Sequence, residues 1–527
     1  MSDDSVNGDS KSRMRKLLGR AVRLQALAAV VRTATHIKDY QAQLSPARKP
    51  VAWNPGAGRS VLLKDVDVVD VKRGQLNHHR GILFVDGRIT DIVGTRDLDS
   101  VSADAVFDCS GLVAIPGLIN CHCHILMPGG LGIALDLAVS LRRQALRNFE
   151  ECAVRGVTTV REASSLPLVL NKLTRKIDNL ELLGPRVVGC ASGIKAPGGY
   201  PDFTVHLPRF LDEKLGQFGY DVTDPESGRA AVRLCEELGA RFIKLFFDDQ
   251  SLFFGHKKLN VLDDATVRAI VEEAHDSGRR VAVHQTQLKG FRRALAFGID
   301  DLEHMPVDGY LTDDDVAKFM DGDHHITPTI TVGLSLGIAR EGHPALANPL
   351  MEALAAERER VQRVVSPSAA EPAVVRANQK VIDILTSLPE GGKPRLPYIS
   401  DPEPFLTGIG EANIRKLYEA GAKFCCGNDG GVPLTWPGTL AIEMGLLEYL
   451  GVSRADVLRS ATINAASLID MESELGSIEP GKLADIALLS ANPFDDIRAV
   501  ERVEAVFRSG VLLHRGPRFG LADRGGR

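Results

Sequence analysis

The chain has 527 residues, of which 44% are hydrophobic and 25% charged, with a formal net charge of -5. That length exceeds one small core and suits a large barrel plus a smaller domain; the charge gives no basis for nucleic-acid binding, and no apolar run reaches the roughly 18 residues that a stable membrane insertion needs. Eight cysteines without a CxxC pair argue against a disulfide scaffold or a zinc ribbon and fit reduced thiols in a cytoplasmic setting.

Residues 1–57 form an extension of different character. Met1 to Arg13 is polar and reads as disordered. Residues 14–38 read as a basic helix with apolar positions at Leu17, Leu18, Val22, Leu24, Leu27, Val30 and Val31. Such a helix would dock on the main body or on a neighbouring subunit, which makes a homo-oligomer plausible. Residues 58–115 alternate short apolar strands with turns, and Asp86-Gly87 between two of them is a hairpin signal. The same style returns in 471–515, at Ala484 to Ser490 and Val503 to Leu513. The two chain ends are therefore expected to build one small β-sandwich, with 516–527 as an Arg- and Gly-rich tail.

Between them, residues 116–470 alternate strand and helix. Eight strands are predicted near 117–124, 156–161, 186–191, 241–247, 279–285, 299–304, 325–332 and 423–428. Helices are predicted over 225–239, 262–277 and 287–297, among others. The count and alternation predict an α/β fold of the (β/α)8 TIM-barrel type. A long connection, 336–420, carries further helical segments near 348–365, 369–388 and 409–420. On the catalytic face it would serve as a lid, a substrate wall or an oligomer interface.

Metal-competent side chains recur where such a barrel places its chemistry, at the C-terminal ends of strands. His122 and His124 end the first strand, and the period of two puts both on one side and Cys121 and Cys123 on the other. Lys244 lies inside the very apolar fourth strand. His284 and His304 end the fifth and sixth, and Asp429 ends the eighth. A lysine so placed loses its charge readily, because burial disfavours the ammonium. A neutral amine can take up carbon dioxide, and the resulting carbamate has two oxygens with which to bridge two cations. A plain reading competes with it: the stem lies in the core and the head pairs with Asp248 or Asp249. Arg161 and Glu162, ending the second strand, could orient metal ligands. Tyr200, His206 and Arg209, on the loop after the third strand, are candidate substrate-binding residues, beside the blander reading of a surface loop.

Several segments together resemble the amidohydrolase superfamily. They are Ile115-Pro116-Gly117-Leu118-Ile119 with His122-x-His124, Phe242-Ile243-Lys244, Val283-His284, Leu302-Glu303-His304, Gly427-Asn428-Asp429 and Gly476-Ser477-Ile478-Glu479-Pro480-Gly481. The lysine with histidines on consecutive strands is most similar to the binuclear branch of Xaa-Pro dipeptidase (prolidase-like) enzymes and ochratoxinase. Two departures stand out: Asn428 replaces the usual threonine, and cysteines flank His122. The resemblance implies two divalent metal ions, zinc in the first place. His122, His124 and Asp429 would hold one, His284 and His304 the other, with carboxylated Lys244 bridging. It implies a metal-bridging hydroxide that cleaves a C–N bond of a small-molecule substrate, with Asp429 as the catalytic proton carrier. Amidase or dipeptidase activity is the first expectation. A lactonase or cyclic-amide hydrolase, or a scaffold without catalysis, is the alternative.

Overall fold

The structure, a computed structural model, describes residues 53–127, 137–201, 216–250, 258–337, 408–432 and 435–521. The predicted basic helix and most of insertion 336–420 lie outside the described residues.

Strands from both chain ends share one sheet. From the N-terminal side come β1 (Ser60–Asp70), β2 (Gln75–Val85), β3 (Arg88–Val93), β4 (Ala105–Asp108) and β5 (Val113–Pro116). The nine-stranded sheet runs β18-β17-β16-β5-β1-β2-β3, with β4 on β1 and β19 on β4. Its C-terminal members are β16 (Ile486–Leu489), β17 (Val503–Arg508), β18 (Val511–Arg515) and β19 (Gly520–Leu521). Asp86-Gly87 does make the β2–β3 hairpin, both residues at positive φ (47° and 76°) as a tight two-residue turn requires. The run Val503 to Leu513 is not one strand. Ser509 and Gly510, at φ 47° and 73°, fold it into the β17–β18 hairpin. Phe84, Phe107, Phe507 and Phe519 pack their rings against one another in this sheet's core.

All eight predicted inner strands form. They are β6 (Leu118–Cys123), β7 (Val157–Glu162), β8 (Arg186–Gly189), β11 (Phe242–Phe246), β12 (Arg280–His284), β13 (Asp301–Glu303), β14 (His325–Thr327) and β15 (Lys423–Phe424). Two short strands, β9 (Gly193–Lys195) and β10 (Gly219–Asp221), add to them. Every pairing is parallel: β6-β7-β8 form one sheet and β10-β9-β11-β12-β13-β14-β15 another. β6, β7, β11, β12, β13 and β14 are buried along nearly their whole length, as apolar parallel strands covered on both faces must be. Backbone hydrogen bonds tie the two sheets at both edges. Cys121 N–H donates to Cys426 O (2.8 Å), and Arg241 N–H to Gly189 O (2.8 Å).

The helices Pro225–Glu237, Asp264–Asp276 and Leu288–Ala296 fall where predicted, the first two capped by Asp224 and Asp263. Strand seven is shorter than expected. It stops at Thr327, because Pro328 has no N–H for a ladder, and a helix, Ile330–Gly337, starts at once.

Candidate metal centre

The first strand delivers its two imidazoles through an irregularity. Its register against β7 slips between Asn120 and Cys123, so three residues of β6 face two of β7. Strict alternation is therefore broken. Cys123 packs outward with Phe149 and Cys152, whereas Cys121 packs with Cys190, Phe242, Ala282 and Cys425. The expectation that both cysteines share one side is overturned by this bulge. His122 and His124 still converge, their ring centroids 5.5 Å apart.

Asp429 meets them from the segment after β15. Ligand atoms of His122, His124 and Asp429 all lie within 4.8 Å of one another. Asp429 Oδ1 is 3.1 Å from His122 Nε2 and 3.4 Å from His124 Nε2. It is buried and has no hydrogen-bond partner among the described residues. His304 stands beside this group, 5.0 Å from His122 and 4.4 Å from His284 between centroids. Asp429 and His304 both adopt positive φ, 53° and 68°, which turns each side chain back over the strand ends. Glycines make room: a Cβ on Gly427 would lie 2.7 Å from His122 N, and one on Gly431 (φ 112°) would overlap His124 O.

Three of the four imidazoles have one nitrogen hydrogen-bonded outside the cluster. His124 Nδ1 is 3.1 Å from Ser164 O, His284 Nε2 3.1 Å from Asp248 Oδ2, and His304 Nδ1 2.6 Å from Thr329 Oγ1. His122 Nδ1 lies 3.1 Å from Glu303 Oε1. Asp248 is itself held by Thr286 N–H and Oγ1–H. Such partners set which nitrogen is left for a cation. Burial drives all four imidazoles toward the neutral form, His124 to about 4, and His304 well below the usual range with further help from the neighbouring imidazoles. Burial alone would raise Asp429, but His122 and His124 outweigh it and bring the carboxyl down to about 2. Neutral imidazoles around an ionised carboxylate oxygen are the donor set of a divalent cation such as zinc, so the residues present fit one.

Lys244 is 1% exposed on β11. Burial, and next the Arg161 charge, bring its amine down to about 7. Its plain-reading partner is neither Asp248 nor Asp249. Nζ lies against Glu303 Oε2, while Asp248 serves His284 and Lys289 takes Asp249. Arg161 Nη1 donates to Asp301 Oδ2 (2.7 Å) and Glu303 Oε1 (3.0 Å), and its guanidinium lies 3.7 Å over the Phe242 ring. Glu162 Oε2 accepts from Ile125 N–H at 2.5 Å.

Tyr200 stacks on His284 at 4.1 Å between centroids and 19° between planes, with Phe246 beyond it. His206 and Arg209 lie outside the described residues. Sequence reasoning passed over Thr329, Ser164, Asp301 and the orienting role of Glu303. The alternation Asp301-Leu302-Glu303, two acids on one face of an apolar strand facing Arg161, was the available signal for the last two.

Imidazole and carboxylate donors are gathered at the C-terminal ends of parallel, helix-connected strands. The chain belongs to the amidohydrolase family, whose model matches residues 113–513. A solved Xaa-Pro dipeptidase with methionine bound in its active site superposes with a TM-score of 0.63 at 24% identity, covering 87% of this chain and 100% of that one. Ochratoxinase of A. niger gives 0.63 at 19% identity over 88% and 98%. Among curated proteins, an imidazolonepropionase of Symbiobacterium thermophilum is 39% identical over 82 residues, 15% of this chain and 19% of that one. The chain spans less than two thirds of the curated relatives it matches.

Proposed function

We propose that this protein cleaves a C–N bond, in an amide or dipeptide, with two divalent cations. The carrying observation is the orphaned Asp429 oxygen facing two neutral imidazoles, with His284 and His304 alongside. His122, His124 and Asp429 would hold one ion, His284 and His304 the other, and Lys244, as a carbamate, would lie between them. Its amine, near 7, is partly neutral at physiological pH and so able to take up carbon dioxide. Bound there, such ions polarise a carbonyl and bring a water's pKa to near neutrality, from about 15.7. Asp429 would take a proton and hand it to the leaving nitrogen. Tyr200 forms one wall beside His284, and His206 and Arg209 complete the proposed substrate contacts.

The edge bonds between the two parallel sheets support a closed (β/α)8 barrel over 116–470, with 58–115 and 471–515 as the small sandwich. The dipeptidase and ochratoxinase likenesses support an acyl–amino acid or dipeptide substrate. The match to an imidazolonepropionase favours keeping cyclic amides as the second reading. Metal analysis of the purified chain, followed by a screen of N-acyl amino acids, Xaa-Pro dipeptides, cyclic amides and lactones, tests the reading. About two ions per chain with hydrolysis of the first two classes supports it. An ion-free chain that hydrolyses none of these substrates would sink it.

A further inference from the structure

The helix Ile330–Gly337 begins without the cap its sequence offers. The residue before it is Thr329, a natural N-cap whose hydroxyl would ordinarily accept from a backbone N–H of the first turn. Here the hydroxyl is turned away and lies 2.6 Å from His304 Nδ1. The capping is done from another helix. Glu443 Oε1 accepts from Ile330 N–H at 2.8 Å, and Oε2 accepts from Thr331 N–H at 2.7 Å and from Thr331 Oγ1 at 2.6 Å. Thr329 and Glu443 are both buried. Thr329 also sits at φ 51°, a conformation that a β-branched residue adopts only when its surroundings impose it. The flanking carboxylate bonds supply that imposition. The backbone of His304 is fixed separately, its N–H donating to Thr327 O and its carbonyl accepting from Gln285 Nε2.

We infer that Thr329, held by Glu443, is a positioning residue that orients the His304 ring through Nδ1. A neutral imidazole has one N–H. When Nδ1–H donates to Thr329 Oγ1, Nε2 keeps its lone pair for a cation, on a ring that stands beside His122 and His284. The other tautomer would put a proton on Nε2 and close that position to a cation. The strained threonine thus fixes the ring for ion binding without touching the ion. This inference rests on the metal reading above and names what prepares one of its ligands.

Thr329→Val tests it, because valine keeps the shape and β-branching and loses only the hydroxyl. Zinc affinity of the full chain is measured against a chromophoric chelator, and the imidazole tautomers of the metal-free chain by 15N spectroscopy. Thr329→Val should weaken one of two zinc ions by about tenfold to a hundredfold and shift the 15N signals of one imidazole, with the metal-free melting temperature close to wild type. Thr329→Ser should restore both readouts. Wild-type zinc affinity and an unchanged spectrum in Thr329→Val overturn the inference while leaving the metal reading intact. A wild-type chain that binds no zinc overturns both. Should Thr329→Val fail to fold, Glu443→Gln decides: it alters the carboxylate that holds residues 329–331 and touches no proposed ligand. Zinc weakened at least about tenfold in that variant supports the link, and unchanged zinc refutes it.

Discussion

Removing the Arg161 charge should be strongly destabilising. The residue is 1% exposed, and its Nη1 donates to two carboxylates that are themselves fully buried, Asp301 and Glu303. Arg161→Met preserves much of the stem's packing over Phe242 and deletes the charge. Asp301 then loses its cation and Glu303 keeps only the Lys244 amine, and breaking such a pair from one side costs about 3–5 kcal/mol. Unfolding entropy near the midpoint is about 2.1 cal/mol/K per residue, so a chain of 527 residues gains roughly 1 kcal/mol per degree. The melting temperature of the metal-free protein should therefore fall by about 3–5 °C, read by differential scanning fluorimetry or calorimetry. Adding Asp301→Asn to Arg161→Met removes one stranded charge and should recover part of the loss, whereas independent sites would simply add. The site should feel the change too. Glu303 lies against both His122 and Lys244, and Arg161 is one cause of the lowered lysine, so Arg161→Met should also shift the Lys244 amine upward. A drop below about 1 °C, or a double variant less stable than the single, would refute the idea that this guanidinium neutralises the inner acidic layer.

Asp429→Asn should retain bound zinc and lose about 10²–10⁴ of turnover; a variant that hydrolyses substrate normally would remove the proton-carrying role. Gly431→Ala should lower both zinc content and soluble yield, since its Cβ would overlap His124 O at a φ of 112°; a fully loaded, wild-type-like variant would show that this turn yields freely. Asp315 gives the pH prediction. Arg292 above all, with Thr312, holds its carboxyl below the usual range. A lowered carboxyl stabilises above its unfolded pKa of about 3.9 and loses that contribution as pH falls below it. With Arg292 half exposed, Asp315→Asn should cost about 1–2 kcal/mol at pH 7. The difference from wild type should shrink below about pH 4, and a pH-independent difference would point to lost packing instead.

The inner strands were legible because parallel strands covered on both faces must be apolar throughout, and Val281-Ala282-Val283 or Phe242 to Phe247 can hardly be anything else. Where the reading went astray, a local backbone event had broken the period. Ser509-Gly510 turned one apparent strand into a hairpin. Pro328 and the left-handed Thr329 cut strand seven short. The slip between Asn120 and Cys123 separated two cysteines that alternation had paired. None of these changes the hydropathy of the run, so a reading built on periodicity has nothing to detect.

The site divides the same way, and the reason lies in what each residue depends on. His122, His124, His284, His304 and Asp429 each follow from one strand ending, and Lys244 from one apolar strand, local properties that spacing and hydropathy expose. Their supporting partners follow from which strand ends meet across the sheet. Glu303 reaches His122 from β13, Thr329 reaches His304 from the end of β14, and Ser164 meets His124 from beyond β7. Thr329 is the sharpest case. In sequence it is a helix cap, and it acts otherwise only because Glu443, on a distant helix, has taken over the cap. The donor atoms of this centre are thus written locally, while the choice of ring nitrogen is made by contacts that exist only once the chain has folded.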